Sequence, residues 1–195
     1  GIALHDVERG GDVTIHEPGQ LVAYPIIDLK RHTPDLHWYL RQVEESVIRA
    51  LGTFGLACTR VAGLTGVWRD DPEAGRCKLA SIGVHAKDWV TSHGLALNVE
   101  NDLSTFAHVV PCGLDQVTMT TVSRACARAA LPYPGAVAVR DALVAQTAEV
   151  FGLMATPLPE DMNPAALPRL FLANHDDARL IIDTLAPPLP MPVST

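Results

Sequence analysis

Four short stretches of the sequence combine residue types that could bind a ligand or carry out a reaction. The first, residues 9–16, places the adjacent glycines Gly10 and Gly11 between Arg9 and His16. Adjacent glycines let a ligand approach the backbone closely, because no Cβ intervenes and the N–H groups remain available. The spacing is not that of a nucleotide-binding loop. A plain tight turn is the alternative interpretation.

The second stretch, residues 78–83, contains a lysine in the pattern of a β-strand. Strict alternation places Lys78, Ala80 and Ile82 on one face of the sheet. A lysine among small apolar neighbours is partly desolvated, which strengthens its electrostatic effect on a nearby group. The alternative is a lysine at a strand end whose ammonium group extends into water.

The third stretch is Pro111-Cys112-Gly113, which places a thiol on a bend between a rigid and a flexible residue. A free cysteine has a pKa of about 8.5, so it needs a nearby cation, base or helix N-terminus to become a useful nucleophile. Lys78, His16 or His93 could supply that group. An inert buried thiol is the alternative.

The fourth stretch, residues 92–99, places His93 and Gly94 at the start of an apolar strand. A glycine beside a strand leaves room for a ligand against the backbone. The alternative is a turn that leads into a core strand, with His93 at the surface. The remaining histidines form no HxxxH or HxH cluster, so no metal site is expected.

Composition excludes several classes of protein. With 195 residues, 48% of them apolar and 19% charged, the chain can bury the core of one ordinary domain. No apolar run is long enough to cross a membrane. The net charge of −7 argues against nonspecific nucleic-acid binding, which requires clustered Lys and Arg.

The four cysteines form no CxxC pair, which favours a reducing, cytoplasmic compartment. Cys58 lies in a strand pattern and Cys126 in a helical one, so both are expected to be core thiols. Cys77 adjoins Lys78, and its role stays open.

Hydrophobic patterning predicts an α+β fold in which a mixed sheet packs against helices. A helix is expected to begin at Thr33-Pro34 and to end at Gly52 or Gly55. The other expected elements are strands at 13–15, 21–27, 56–61, 66–68, 78–86 and 95–99, and helices at 117–130 and 136–151. The chain divides into a domain at 1–152 and a Pro-rich C-terminal extension at 153–195, which contains eight of the fifteen prolines.

Five motifs in this order resemble those of the lipoyl(octanoyl) transferases, the acyltransferases of protein lipoylation. They are RGGDVTIHEPGQLVAYPIIDL at 9–29, GVW at 66–68, KLASIGV at 78–84, SHGLALNV at 92–99 and VPCGL at 110–114. Each is weak alone, whereas all five in order and with sensible spacing form a specific pattern. Together they extend over more than half of the chain.

The resemblance implies a fold related to the biotin and lipoate protein ligases, no cofactor, and a two-step acyl transfer. Cys112 would carry the acyl group as a thioester, and Lys78 would lower the pKa of that thiol and later take a proton from the incoming amine. Backbone N–H groups near Cys112-Gly113 or Gly10-Gly11 would form the oxyanion hole. The acyl-binding residues implied are Arg9, Gly10, Gly11, Asp12, Val13, Thr14, Ile15, His16, Ser81, Ile82, Gly83, His93, Gly94 and Leu95.

The partners implied are octanoyl-acyl carrier protein as donor and lipoyl domains as acceptors. Those domains belong to the 2-oxo-acid dehydrogenases and the glycine cleavage H protein. Neither nucleic acid nor a membrane is expected as a partner. Two other functions remain open: an ATP-dependent lipoate ligase on the same fold, and a non-catalytic protein that docks carrier or lipoyl domains. A ligase has no use for a thiol at position 112.

The sequence departs from the family pattern at three places. Ile15 stands where the family usually has an aromatic residue, and Glu17 stands where it usually has glycine, which adds a charge and removes turn flexibility. The family's N-terminal helix and strand would precede Gly1, so we expect an unpaired sheet edge and low stability from these residues alone.

Overall fold

A six-stranded sheet forms the centre of the computed structural model, which describes residues 7–11, 13–108 and 117–156. The strands are β1 (Gln20–Ala23), β2 (Thr59–Val61), β3 (Leu64–Asp71), β4 (Gly75–Lys87), β5 (Val90–Asn98) and β6 (Thr118–Met119). Five of them lie in the antiparallel order β1-β5-β4-β3-β2. The short β6 pairs with the start of β4 in parallel, so the predicted mixed sheet is confirmed.

Three α-helices accompany the sheet: α1 (Leu36–Gly52), α2 (Val122–Arg128) and α3 (Ala136–Phe151). Two short 3-10 helices occupy Leu29–Arg31 and Leu103–His108. In the described residues, no helix is both long and apolar enough to span a bilayer.

Helices and strands share one apolar core, and the face of the sheet that contributes to it is called the helix face below. The core includes Val43 and Val47 of α1, Cys126 of α2 and Leu143 of α3. The strands contribute Leu21, Ala23, Val67, Leu79, Ala80, Leu95 and Leu97. Because side chains alternate along a strand, Gln20, Ser81, Ala96 and Asn98 lie on the opposite face.

A β-bulge in β4 interrupts the alternation expected for residues 78–83. Val67 pairs with Ala80, but the next residue of β3, Trp68, pairs with Lys78, so Leu79 is an extra residue in β4. Leu79 and Ala80 both pack in the helix-face core. The expectation that Lys78 shares a face with Ala80 is therefore wrong, because the bulge places Lys78 beside Trp68 on the opposite face.

Several element boundaries differ from those expected. Helix α1 begins after Asp35 rather than at Thr33, because the Asp35 carboxylate accepts hydrogen bonds from the N–H groups of His37 and Trp38 at 2.7 and 3.2 Å. Residues 13–15 form no strand. The helix expected at 117–130 begins only at Val122, because the residues before it form β6. The predicted bounds of α3 are confirmed.

A buried carboxylate connects α1 to the hairpin of β2 and β3. Glu44 is fully buried, and its Oε2 lies 2.6 Å from Nη1 of Arg41 and 3.2 Å from Nε of Arg60. Its Oε1 accepts the backbone N–H of Gly66 at 3.0 Å. Glu44 thus satisfies a buried donor of β3 and anchors the strand that carries Trp68.

We expect Glu44→Leu to lower the free energy of unfolding by about 2 kcal/mol, because it leaves the buried N–H of Gly66 without an acceptor. Glu45→Leu is the matched control, since Glu45 is partly exposed and pairs with Arg49 and Arg60. Glu45→Leu should lower the free energy of unfolding by less than about 1 kcal/mol. Urea unfolding of both variants measures the difference, and equal costs would contradict an anchoring role for Glu44.

Candidate active site

The loop of the first predicted stretch, at Arg9 and Gly10, crosses β4 at the end of the second predicted stretch. The N–H of Gly10 donates to the carbonyl oxygen of Val84 at 2.9 Å, which fixes the Arg9–Gly10 backbone over β4. A Cβ on Gly83 would lie 2.8 Å from the carbonyl oxygen of Gly10 and 2.9 Å from Cδ of Arg9. Glycine at position 83 is therefore what allows the crossing.

The fourth predicted stretch joins the same place, because Gly83 pairs directly with Gly94 on β5. His93 has a φ of 59°, and its ring meets that of Tyr24 edge-on at 5.7 Å between centroids. The structure thus brings the first stretch to the β4–β5 hairpin, which carries the second and fourth stretches. A Cβ on Gly94 would collide with the carbonyl oxygen of Ala23, so glycine at this position is what allows the chain after β1 to pack against β5.

The predicted acyl-binding residues fall into groups. Leu95 is buried in the helix-face core and Ile82 packs against it, so these two side chains are directed away from the crossing. Ser81 pairs with Ala96 on the opposite face. Ile15 is buried in a second, smaller cluster on which Met119 packs. Val13 is exposed and Thr14 is partly buried, whereas Asp12 lies outside the described residues.

Lys78 is almost fully buried on the opposite face, with 1% of its surface exposed. Its Nζ lies 5.1 Å from the centroid of the Trp68 ring, a distance at which the π face attracts an ammonium group. A Cβ on Gly66 would lie 2.6 Å from Cε of Lys78, so glycine leaves the space that the lysine occupies. The Gly66-Val67-Trp68 motif was part of the sequence resemblance, but neither Gly66 nor Trp68 was predicted as a site residue.

The strand beside Lys78 follows the predicted nucleophile in the sequence. Met119 pairs with Lys78, and the N–H of Thr120 donates to the carbonyl oxygen of Lys78 at 3.0 Å. Cys112 lies six residues before β6, within residues 109–116, which are outside the described residues. The described part of the site is therefore Lys78 and its surroundings.

The other three thiols are buried and free. Burial raises the pKa of Cys58 to about 12 and also raises the pKa of Cys126. Burial raises the pKa of the Cys77 thiol too, and the nearby Asp71 carboxylate adds to that effect. A raised pKa leaves less thiolate at neutral pH, so each of these cysteines is a poor nucleophile. Cys77, which the sequence left open, thereby joins the core thiols.

Glu17 has two partners that the sequence did not indicate. Its Oε1 accepts from Nδ2 of Asn101 and its Oε2 accepts from the hydroxyl of Thr105, both at 2.6 Å. Thr105 belongs to the 3-10 helix Leu103–His108, which directly precedes the Cys112 segment. The charge at position 17 therefore holds the first predicted stretch against this helix. No local sequence signal identifies such partners, since they lie more than 80 residues away.

Comparison with known proteins gives consistent matches. Residues 1–146 match the model of the lipoyl protein ligase A/B catalytic domain. An octanoyltransferase of Thermosynechococcus vestitus is 47% identical over 157 residues, which are 80% of this chain and 65% of that protein. An octanoyltransferase of Geobacter sulfurreducens is 43% identical over 189 residues, which are 96% of this chain and 74% of that protein. For a third, from Synechococcus sp. strain CC9902, the identity is 59%, with 57% of this chain and 46% of that protein aligned.

This chain thus spans from about half to about three quarters of the length of these relatives.

Two solved structures share its fold. A bipartite lipoate protein ligase from Thermoplasma acidophilum superposes with a TM-score of 0.59 at 19% identity, covering 85% of this chain and 64% of that one. A lipoate-protein ligase A bound with ATP superposes with a TM-score of 0.51 at 17% identity, covering 78% of this chain and 61% of that one. With the sheet, the loop crossing and the buried lysine, these matches show that the chain belongs to the lipoyl protein ligase A/B catalytic domain family.

Proposed function

We propose that this chain is an octanoyltransferase that acts through a cysteine thioester. Cys112 accepts the octanoyl group from octanoyl-acyl carrier protein and then passes it to a lysine of a lipoyl domain. The observation that carries the proposal is the buried Lys78, held beside Trp68 and in register with the strand that follows Cys112. The octanoyltransferase names of the relatives support the same activity.

The first step requires a thiolate at Cys112. The ammonium group of Lys78 is removed from bulk water, so its charge is weakly screened and acts strongly on a neighbouring sulfur. The thiolate attacks the carrier thioester, the acyl carbon–sulfur bond of the donor breaks, and the carrier leaves as its thiol. The raised pKa values of Cys58, Cys77 and Cys126 support the assignment of this step to Cys112.

The loop crossing at Gly83 is the proposed place for the acyl chain. The paired glycines on β4 and β5 let the Arg9–Gly10 backbone pack against Gly83 and the carbonyl oxygen of Ala23 pack against Gly94, and the acyl chain would lie beside these backbone segments. The N–H of Gly10 is engaged with Val84, which makes it unsuitable as an oxyanion donor. We therefore favour the backbone at Cys112-Gly113 for stabilising the oxyanion.

The proposed acceptors are the lipoyl domains of 2-oxo-acid dehydrogenases and of the glycine cleavage H protein. The T. acidophilum structure of the same fold is of a ligase and its E2 lipoyl domain, which supports this class of partner. A free catalytic thiol also requires the reducing compartment expected from the sequence, for which the cytoplasm is the proposed location.

Mass spectrometry of the chain mixed with octanoyl-acyl carrier protein tests the proposal. We expect a covalent octanoyl adduct on Cys112 that forms without ATP and disappears when a lipoyl domain is added. Modification of the lipoyl domain only with free octanoate and ATP would indicate a ligase instead. Binding of the carrier with no adduct and no transfer would indicate a docking protein.

We predict that Cys112→Ala and Cys112→Ser each abolish both the adduct and transfer, because no other thiol is a competent nucleophile. Cys58→Ala, Cys77→Ala and Cys126→Ala are the controls and should keep the adduct. Peptide mapping of the acylated protein identifies the modified residue. An adduct that persists in Cys112→Ala, or that maps to Cys77, would overturn the assignment.

We predict that Lys78→Met raises the pKa of Cys112 by about 1–3 pH units, because it removes the positive charge while keeping the length of the side chain. Lys87→Met, at the exposed end of the same strand, is the matched control. The rate of iodoacetamide alkylation as a function of pH measures the change. Lys78→Arg should restore the pKa better than the transfer rate, since the close contact at Gly66 leaves little space for a guanidinium group. An alkylation profile that Lys78→Met leaves unchanged would exclude Lys78 from this role.

A further inference from the structure

The hairpin turn that joins β4 to β5 presents a tryptophan at the surface. Trp89 is 41% exposed and its neighbour Val90 is 43% exposed. The other two tryptophans differ, because Trp38 is partly buried and Trp68 is buried. Tryptophan is enriched in protein–protein interfaces, where its ring supplies a large contact area.

The backbone of this turn is in a conformation that tryptophan rarely adopts. Asp88 has a φ of 53° and Trp89 has a φ of 69°, and the residues on either side of them, Lys87 and Val90, pair across the hairpin. A two-residue turn of this kind needs positive φ at both central positions, where Asn and Gly are usual. A bulky residue there is strained, and strain of this sort is found where a side chain has a function. The exposed ring is therefore kept against the preference of the turn.

The segment that precedes α1 holds the turn in place. The N–H of Leu29 donates to the carbonyl oxygen of Trp89 at 2.8 Å, and the N–H of Thr91 donates to the carbonyl oxygen of Ile27 at 3.0 Å. The hydroxyl oxygen of Thr91 also accepts from the N–H of Ile27 at 2.8 Å. These bonds fix the backbone on both sides of the exposed residues. A side chain presented on a fixed backbone loses less entropy when it binds a partner.

Basic side chains lie around this tryptophan. Lys87 directly precedes the turn, and Lys30 follows Leu29, whose N–H binds the backbone of Trp89. Both lysines are exposed, and neither forms an ion pair with another described residue. Arg31, next to Lys30, is exposed as well.

Most other basic side chains on the described surface are neutralised by carboxylates. Ion pairs are formed by Arg41, Arg49, Arg60, Arg76, Arg128 and Arg140. Two carboxylates lie near the turn: Asp88, which is part of it, and Asp28, which accepts the backbone N–H of Lys30 at 3.0 Å. Unpaired lysines on both sides of an exposed aromatic ring favour a partner that carries acidic residues around an apolar cleft.

We propose that this surface, called the turn surface and formed by Lys30, Arg31, Lys87, Trp89 and Val90, docks the acyl carrier protein that delivers the octanoyl group. The inference rests on the proposed function. The tryptophan and the valine fill the apolar cleft of the carrier, and the basic side chains face carboxylates at the rim of that cleft.

The place of the turn surface on the sheet favours the carrier over the lipoyl domain as its occupant. Along β4, Lys87 lies about 13 Å beyond Gly83 and, with the bulge discounted, about 26 Å beyond Lys78. An acyl carrier protein presents its thioester at the end of a long, flexible pantetheine arm, which can extend along the strand from such a distance. The acceptor lysine of a lipoyl domain reaches only the length of its own side chain.

The first arm of the test measures docking without chemistry. Carrier protein with a free pantetheine thiol is titrated into the ¹⁵N-labelled full chain, and the indole N–H signal of Trp89 should shift while those of Trp38 and Trp68 stay unchanged. Trp89→Asn, which suits the turn, and Lys87→Glu should each weaken binding about tenfold, and added salt should weaken it further. Arg76→Glu is the matched charge reversal at the other end of β4 and should change the affinity by less than about twofold.

Three outcomes of this titration would overturn the proposal. They are shifts confined to another surface, a dimer of this chain that depends on Trp89 and forms in place of the complex, and binding of a lipoyl domain rather than the carrier by the same residues.

The second arm separates docking from chemistry by changing the donor. Acylation of the chain is followed with octanoyl-acyl carrier protein and with octanoyl-pantetheine, which has the same thioester but no protein. We expect Trp89→Asn to raise the KM for the carrier about tenfold and to change the rate with octanoyl-pantetheine by less than about twofold. Equal losses with both donors would overturn a docking role. A carrier that binds at Trp89 but never acylates the chain would support docking and contradict the proposed function.

Discussion

The extra residue in β4, Leu79, determines on which face of the sheet the charged side chain of Lys78 lies. Without a bulge at Leu79, alternation would direct Lys78 into the helix-face core, among residues that cannot solvate an ammonium group. The bulge places the lysine beside the Trp68 ring and against Gly66. Glu44 in turn holds Gly66 through its N–H. One irregularity in a strand therefore links a buried helix carboxylate to the lysine of the proposed reaction.

Elements with strong local signals could be predicted from the sequence, and the bounds of α3 are an example. The start of α1 was misplaced at Thr33-Pro34, because the structure shows that the side chain of Asp35 is the one that meets the free N–H groups. The bulge could not be predicted, since the residue types of β4 are equally compatible with strict alternation. Pairing between β4 and β6 joins distant residues, and hydrophobic periodicity carries no information about it.

In the candidate site, too, some features could be predicted from the sequence and others could not. The family resemblance implied that the glycines at 10, 83 and 94 belong to one site, and the structure brings them close to one another. The direction of individual side chains was not predicted. Ile82 and Leu95 were expected at the acyl-binding site, but their side chains are directed away from the crossing. Glu17 was expected to be a charge that disturbs the site. It instead binds Asn101 and Thr105, because a carboxylate beside a turn finds partners that only tertiary structure supplies.

The parallel pairing of β6 with β4 has a consequence for how the protein folds. Two residues of β6 meet residues far earlier in the chain, so their contact closes a long loop for a small gain in hydrogen bonding. Such contacts form late in folding and open early in native-state fluctuations. The antiparallel hairpin of β4 and β5, by contrast, is local and forms without that cost. By this argument the contact beside Lys78 forms after the β4–β5 hairpin and opens more readily than it does.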